Sequence, residues 1–267
     1  IGLALSAVTG GALALIDPRL PFLATGVAMA GLLWVTWRFV EPPRSTEMAE
    51  GSELLRLSHL GESFRNPVLM WFFTLTVLMY CFSHLPFVFG QPFILEALRD
   101  LDFARSAPLV SGLITAAMMG ISVIVSLVAL QLRNALGLPL LLLGAFGLQI
   151  AISGVMAITD SAVVLVFLLL RMVPDALSRP FILGRIQPLL TDDSRATWLS
   201  VKSFVGRLVF AIALSLGSIS TTDAGLMPYA DISRVLTVAT LIGASALVLL
   251  ALSARKINVS APKKPNC

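Results

Sequence analysis

Apolar residues in this chain gather into eight long blocks instead of alternating with polar ones. The blocks run at roughly 1–16, 20–40, 67–95, 106–130, 137–158, 162–188, 197–218 and 232–253. Most approach the ~20 residues that a helix needs to cross a hydrocarbon layer of about 30 Å. A membrane barrel would show segments of about ten residues in which apolar and polar positions alternate. The pattern therefore predicts an all-α polytopic bundle with about eight transmembrane helices. That is a multi-pass protein of the cell membrane, and its first partner is the lipid bilayer.

Prolines mark the irregular places. Asp17-Pro18-Arg19-Leu20-Pro21 ties the first two blocks closely together. The third block holds Pro86, Gly90 and Pro92, and the sixth holds Pro174, Pro180 and Pro188. Kinked or interrupted helices are expected there, because proline lacks the N–H donor and its ring clashes with the preceding turn. Residues 41–65 form a hydrophilic linker, and a basic tail follows at 254–267.

Composition agrees with this reading and excludes a soluble domain. The chain has 267 residues, 57% hydrophobic and 13% charged, with a mean hydropathy of +0.91. Soluble domains are nearer half apolar and a quarter charged. The net charge of +4 lies in loops and tail, so it carries topology and no nucleic-acid partner is expected. If residues 41–65 are cytoplasmic and the sides alternate, thirteen basic residues fall inside: Arg38 to Arg65, Arg133, Arg185 to Arg207, and the tail. Four fall outside, Arg19, Arg99, Arg105 and Arg234. The positive-inside rule selects that orientation over its reverse. Trp34, Trp37, Trp71 and Trp198 then lie near cytoplasmic ends, where interfacial anchoring is expected.

Enzyme chemistry finds no foothold. There is no HExxH, no cysteine pair at metal-ligand spacing and no phosphate loop, and His59 and His84 are the only histidines. No metal or cofactor is expected, and no enzymatic activity. The informative residues are polar groups inside the blocks. Thr76, Tyr80, His84 and Gln91 follow at intervals that keep them on one helix face. Histidine can carry a proton near neutral pH, and Tyr80 and Gln91 can bond a ligand. Arg171, Asp175 and Arg179 are spaced i, i+4, i+8 and would share one face of a continuous helix. About ten uncharged residues precede Arg171, which puts it ~15 Å along its segment, near mid-bilayer. A charge there costs about 2.5–3.5 kcal/mol unless it meets a partner or a wet cavity. Two arginines facing one carboxylate leave a positive surplus.

Three local patterns resemble the major facilitator superfamily. Gly2, Ser6, Ala7, Gly10 and Gly11 fall on the spacing of the antiporter motif in that family's fifth helix, with Ser6-Ala7 where Gly-Pro is usual. Arg133 and Gly137 fall on its loop motif, with Leu132 in place of the acidic residue. Arg195-Ala196-Thr197 with Ser200 resembles the loop before the eleventh helix of exporter-like members. Asp192, Asp193 and Ser194 are candidate caps for a helix beginning near Arg195. The resemblance implies that residues 1–40 are the last two helices of an N-terminal bundle whose first four precede them and are required for activity. It implies that 66–253 form the six-helix C-terminal bundle. Gly2, Ser6, Gly10, Gly11, Arg133 and Arg195 would then serve helix packing or gating. Arg171, Asp175, Arg179, His84, Gln91 and Tyr80 would line the path of the substrate or ion.

The function so implied is secondary transport of a small molecule by alternating access, as export coupled to a proton gradient. The alternative is a membrane-embedded scaffold that keeps the bundle without transporting. The topology can be tested by labelling single cysteines from outside intact cells, after replacing Cys81 and Cys267. A cysteine at Thr222 should react and one at Ser45 should stay protected; equal reactivity would overturn the orientation.

Overall fold

A computed structural model describes residues 2–39, 61, 63–100, 107–159, 161, 163–190, 192–219, 228–257, 259 and 260. Most of the 41–65 linker and the tail beyond 260 lie outside the described residues. The elements are α1 (Gly2–Ile16), α2 (Leu20–Arg38), α3 (Pro67–Asp100), α4 (Ala107–Leu136), α5 (Leu138–Ile158), α6 (Val163–Leu169), α7 (Val173–Ile186), α8 (Asp192–Ile219) and α9 (Tyr229–Lys256). Three-residue 3-10 turns follow α6 and α7, at Leu170–Met172 and Gln187–Leu189. Among the described residues six helices are long and apolar enough to cross a membrane: α2, α3 up to Gly90, α4 from Leu109, α5, α8 from Ser194, and α9. The other two apolar blocks are α1, with 15 residues, and the interrupted run from α6 to α7. The chain is an all-α, multi-pass membrane protein, consistent with location in a cell membrane.

The chain divides into two compact units, Ile1–Leu55 with Leu95–Gly120, and Arg56–Ile94 with Ile121–Cys267. In the first unit the link between α1 and α2 closes on Asp17, whose Oδ1 accepts from the Arg19 N–H at 2.8 Å. Such Asx turns are the local device by which Asp-Pro sequences reverse a chain. Farther along, a Cβ at Gly112 would overlap the Ala7 carbonyl, so α4 meets α1 backbone to backbone.

In the second unit α5 is the central element. Leu142, Phe146, Gln149, Ile152, Ser153 and Met156 are buried at intervals of three and four residues, which is one face of the helix. That helix packs most extensively on α9 and next on α7. Its last carbonyls, which have no partner within the helix, accept from α9: Tyr229 and Ser233 both donate their hydroxyls to Ala157 O. At the opposite end of α9, Trp71 Nε1 donates to Leu250 O at 3.1 Å. Gln149 is the exception, only 2% exposed, with neither amide atom bonded among the described residues.

Several expectations are refined. The third block stays one helix through Pro86 and Pro92, and Asn66 caps it by accepting from Val68 N–H at 3.0 Å. Of the four tryptophans, Trp37 is 86% exposed, and Trp34 is exposed as well, as anchors should be. Trp71 and Trp198 are instead core residues, 3% and 0% exposed: Trp71 packs edge-on against Phe72 and bonds the Leu250 carbonyl, and Trp198 packs edge-on against Phe73 of α3. α8 begins at Asp192 and not near Arg195, which puts Asp192 and Asp193 at the helix start, where negative charge is favoured. Lys202 and Arg207, counted above as cytoplasmic, lie well inside that helix. Gly137 joins α4 to α5 with φ +80°, a conformation only glycine adopts without strain, and its N–H donates to Arg133 O at 2.8 Å.

The α5–α9 seam is closed by Gly243. A Cβ there would overlap the Phe82 ring and touch Ile150. That ring cannot swing aside, because it packs edge-on against the fully buried Phe146, centroids 5.5 Å apart. Gly243→Ala should therefore lower stability to unfolding in mixed micelles by about 1–3 kcal/mol. Gly144→Ala, where nothing stands within 4 Å, should leave it unchanged or slightly raised. Equal effects at the two positions would refute the seam.

Candidate functional site

Three elements of the second unit converge on the polar residues that the sequence singles out. On α3, Tyr80, His84 and Phe87 follow at i, i+4 and i+7 and so share a face. The Tyr80 and His84 rings stack with centroids 4.1 Å apart and planes inclined at 34°. On α8, Lys202, Gly206 and Phe210 follow at i, i+4 and i+8. Gly206 allows the approach, since a Cβ there would stand 3.2 Å from the Tyr80 ring. The Cys81 thiol points at the Gly206 carbonyl with sulfur 3.9 Å away. Phe210 then meets both rings, 6.4 Å from Tyr80 and 5.4 Å from His84, centroid to centroid.

His84 is held by its own helix. Nδ1 lies 2.8 Å from the Tyr80 carbonyl and 3.1 Å from Ser83 Oγ. A carbonyl oxygen only accepts, so the short bond requires the hydrogen on Nδ1. That leaves Nε2 as the acceptor in the neutral ring, and no described residue bonds it.

The third element is the interrupted sixth block. Pro174 sits at the start of α7, just after the 3-10 turn. Without an N–H it cannot return a bond to the turn before it, and the helix tightens to 3-10 at Leu170–Met172, the kind of interruption that the prolines predict. Arg171 lies in that turn, with its guanidinium over the Phe87 ring, 5.2 Å from the centroid. Its Nε is buried and has no hydrogen-bond partner among the described residues. Asp175 and Arg179 are exposed on α7. The charges that act on Asp175 are those of Arg179 first and His84 second. Lys202 in turn feels Arg179. Asp175 and Arg179 thus follow one turn after another on α7, and Arg171 in the preceding turn lies against the Phe87 ring.

The remaining candidates lie elsewhere. The Gln91 side chain is outside the described set, although its backbone continues α3. Thr76 donates to Phe72 O of its own helix at 2.8 Å. Arg133 stands over the Phe181 ring at 5.6 Å, and Arg195 Nη2 donates to Gln187 O at 3.3 Å, at the start of the second 3-10 turn. On α1, Gly11 is buried, Ser6 Oγ bonds its own Leu3 O, and a Cβ at Gly2 or Gly10 would meet nothing within 4 Å. Sequence reasoning missed Phe87, Lys202, Gly206 and Phe210. Phe87 continues the Tyr80–His84 register, and the α8 residues share their own. Among the described residues, no group of three His, Cys, Asp or Glu side chains is placed to hold a metal ion.

No family model, curated protein or solved structure matches the chain.

The His84 geometry is open to direct test. In ¹⁵N solid-state NMR of the protein in lipid, with His59→Gln to leave one histidine signal, the neutral ring should carry its proton on Nδ1. A neutral ring protonated on Nε2 would refute the bond to the Tyr80 carbonyl.

Proposed function

We propose that the chain belongs to a secondary transporter of small molecules, of the exporter-like major facilitator type that its motifs resemble, working by alternating access. The observation that carries this reading is the charged group of Arg171, Asp175, Arg179, His84 and Lys202 on an apolar, multi-pass bundle. Intramembrane charge is costly and persists where it faces a path for ions or solutes. A helix broken beside those charges is how many transporters expose backbone and side chains to cargo at mid-depth. On this reading Asp175 is the coupling carboxylate. A proton arriving there weakens its attraction to Arg179 and His84, which gives the bundle a charge-dependent choice between two arrangements. His84 Nε2, free to accept, is a second place for that proton. The interfacial residues Arg133 and Arg195 bear on helix ends and serve gating or packing.

The test is reconstitution of the full-length protein in vesicles with an imposed proton gradient and a broad panel of solutes. Saturable, gradient-dependent flux is expected. Asp175→Asn should reduce it by about tenfold or more at unchanged membrane abundance, the scale on which general acid–base groups contribute. Parental flux in that variant would remove Asp175 from the mechanism. Absence of flux for every solute, with the protein folded, would favour the scaffold alternative.

A further inference from the structure

We propose that the cluster beside the broken helix is an organic-anion site, which takes a molecule bearing one acidic group on an aromatic or apolar body, with Arg171 as the anchor for the acid. This rests on the transport reading above and adds the chemical class of the cargo.

Charge is the first argument. Arg171 and Arg179 bracket Asp175, each one turn away along the same segment, and Lys202 on α8 feels Arg179. One carboxylate offsets one cation. A cationic cargo would add to the surplus, and an anion relieves it. Geometry then selects the anchor. Arg179 is exposed, one turn beyond Asp175. Arg171 has an aromatic ring below it and a buried Nε without a bond among the described residues. A guanidinium is a planar fork of five N–H donors that matches a carboxylate with two parallel bonds, and its face can stay stacked on a ring while its edge binds.

The walls give the second half of the class. Phe87 lies under Arg171, and Tyr80 and Phe210 close around His84 on the same α3 face; rings accept an aromatic body by offset or edge contact. A strongly hydrated inorganic anion would gain nothing from them. The sequence puts Arg171 ~15 Å along its apolar segment, which makes lipid headgroups a poor source of the anion.

Three probes of matched size distinguish the charge: 2-naphthoate, 2-naphthamide and 2-naphthylmethylamine. Binding is measured at equilibrium to the full-length protein in nanodiscs of zwitterionic phosphatidylcholine. Naphthoate should bind best. Arg171→Gln should weaken it about tenfold or more, the scale of a hydrogen bond to a charged group. Arg171→Lys, which keeps the charge and loses the fork, should recover part of the loss. Asp175→Asn should tighten naphthoate by about threefold, because it removes a nearby anion, although the same change should cut coupled flux by about tenfold or more in the reading above. Equal binding of the three probes, or preference for the amine, would overturn the proposal on the unmodified protein alone. So would unchanged or weaker naphthoate binding in Asp175→Asn. Arg171-dependent naphthoate binding without flux of any solute would sink the transport reading and keep the site. Flux of neutral or cationic solutes without naphthoate binding would do the reverse.

Discussion

Hydrocarbon offers no hydrogen bonds, so a polar group inside this bundle is satisfied by the chain itself or by what the chain binds. Much of the architecture follows from that constraint. Hydroxyls within the helices return to their own backbone, as Thr76 does to Phe72 and Ser178 to Pro174. Helix ends are closed from neighbouring elements: Tyr229 and Ser233 cover the last carbonyls of α5, and Arg195 covers Gln187 O. Arg185 donates to the carbonyls of Val259 and Ser260, and so folds the chain after α9 back onto the unit. Where the accounting fails, at Gln149, at Trp198 Nε1 and at Arg171 Nε, the bundle carries polar groups its own described residues do not answer. Each such group costs about 1–3 kcal/mol.

The helical course of the chain was legible because length and apolarity are local properties. Every apolar block has a helix under it, and the proline-rich sixth block is the one that breaks. What the pattern could not weigh was partnership between blocks. Trp71 and Trp198 look like interfacial anchors by position, and only their neighbours in space make them core residues. Lys202 and Arg207 were counted as cytoplasmic charges although they fall inside the apolar block at 197–218, and α8 carries both within the helix. Two aspartates look like flanking caps and instead open the helix.

The candidate site was legible in pieces. Tyr80 and His84 share a face by simple spacing, and they do stack. Arg171, Asp175 and Arg179 were visible as rare charges in an apolar run. Their alliance was not, since spacing assumes a continuous helix, and the aromatic partners come from α3 and α8. Phe residues are so common in this chain that no local signal separates Phe87 and Phe210 from lipid-facing ones. The small-residue pattern on α1 gave a similar lesson: the close approach falls at Ala7, and the glycine that permits it is Gly112 on another helix.

The break before α7 decides how those charges divide. On an unbroken helix Asp175, one turn beyond Arg171, would lie over it and the two would neutralise each other. A 3-10 turn advances each residue by about 120° in place of about 100°, so the charges after the turn rotate away from the one inside it. Pro174 keeps the turn from relaxing, because the α-helical bond it would have to donate does not exist. Asp175 is thereby turned from Arg171 towards the charges of Arg179 and His84, which act on it, and Arg171 is left to an aromatic face that tolerates a cation without cancelling its charge. Two functions that a single salt bridge would extinguish, sensing a proton and holding an acid, can then occupy neighbouring turns of one span.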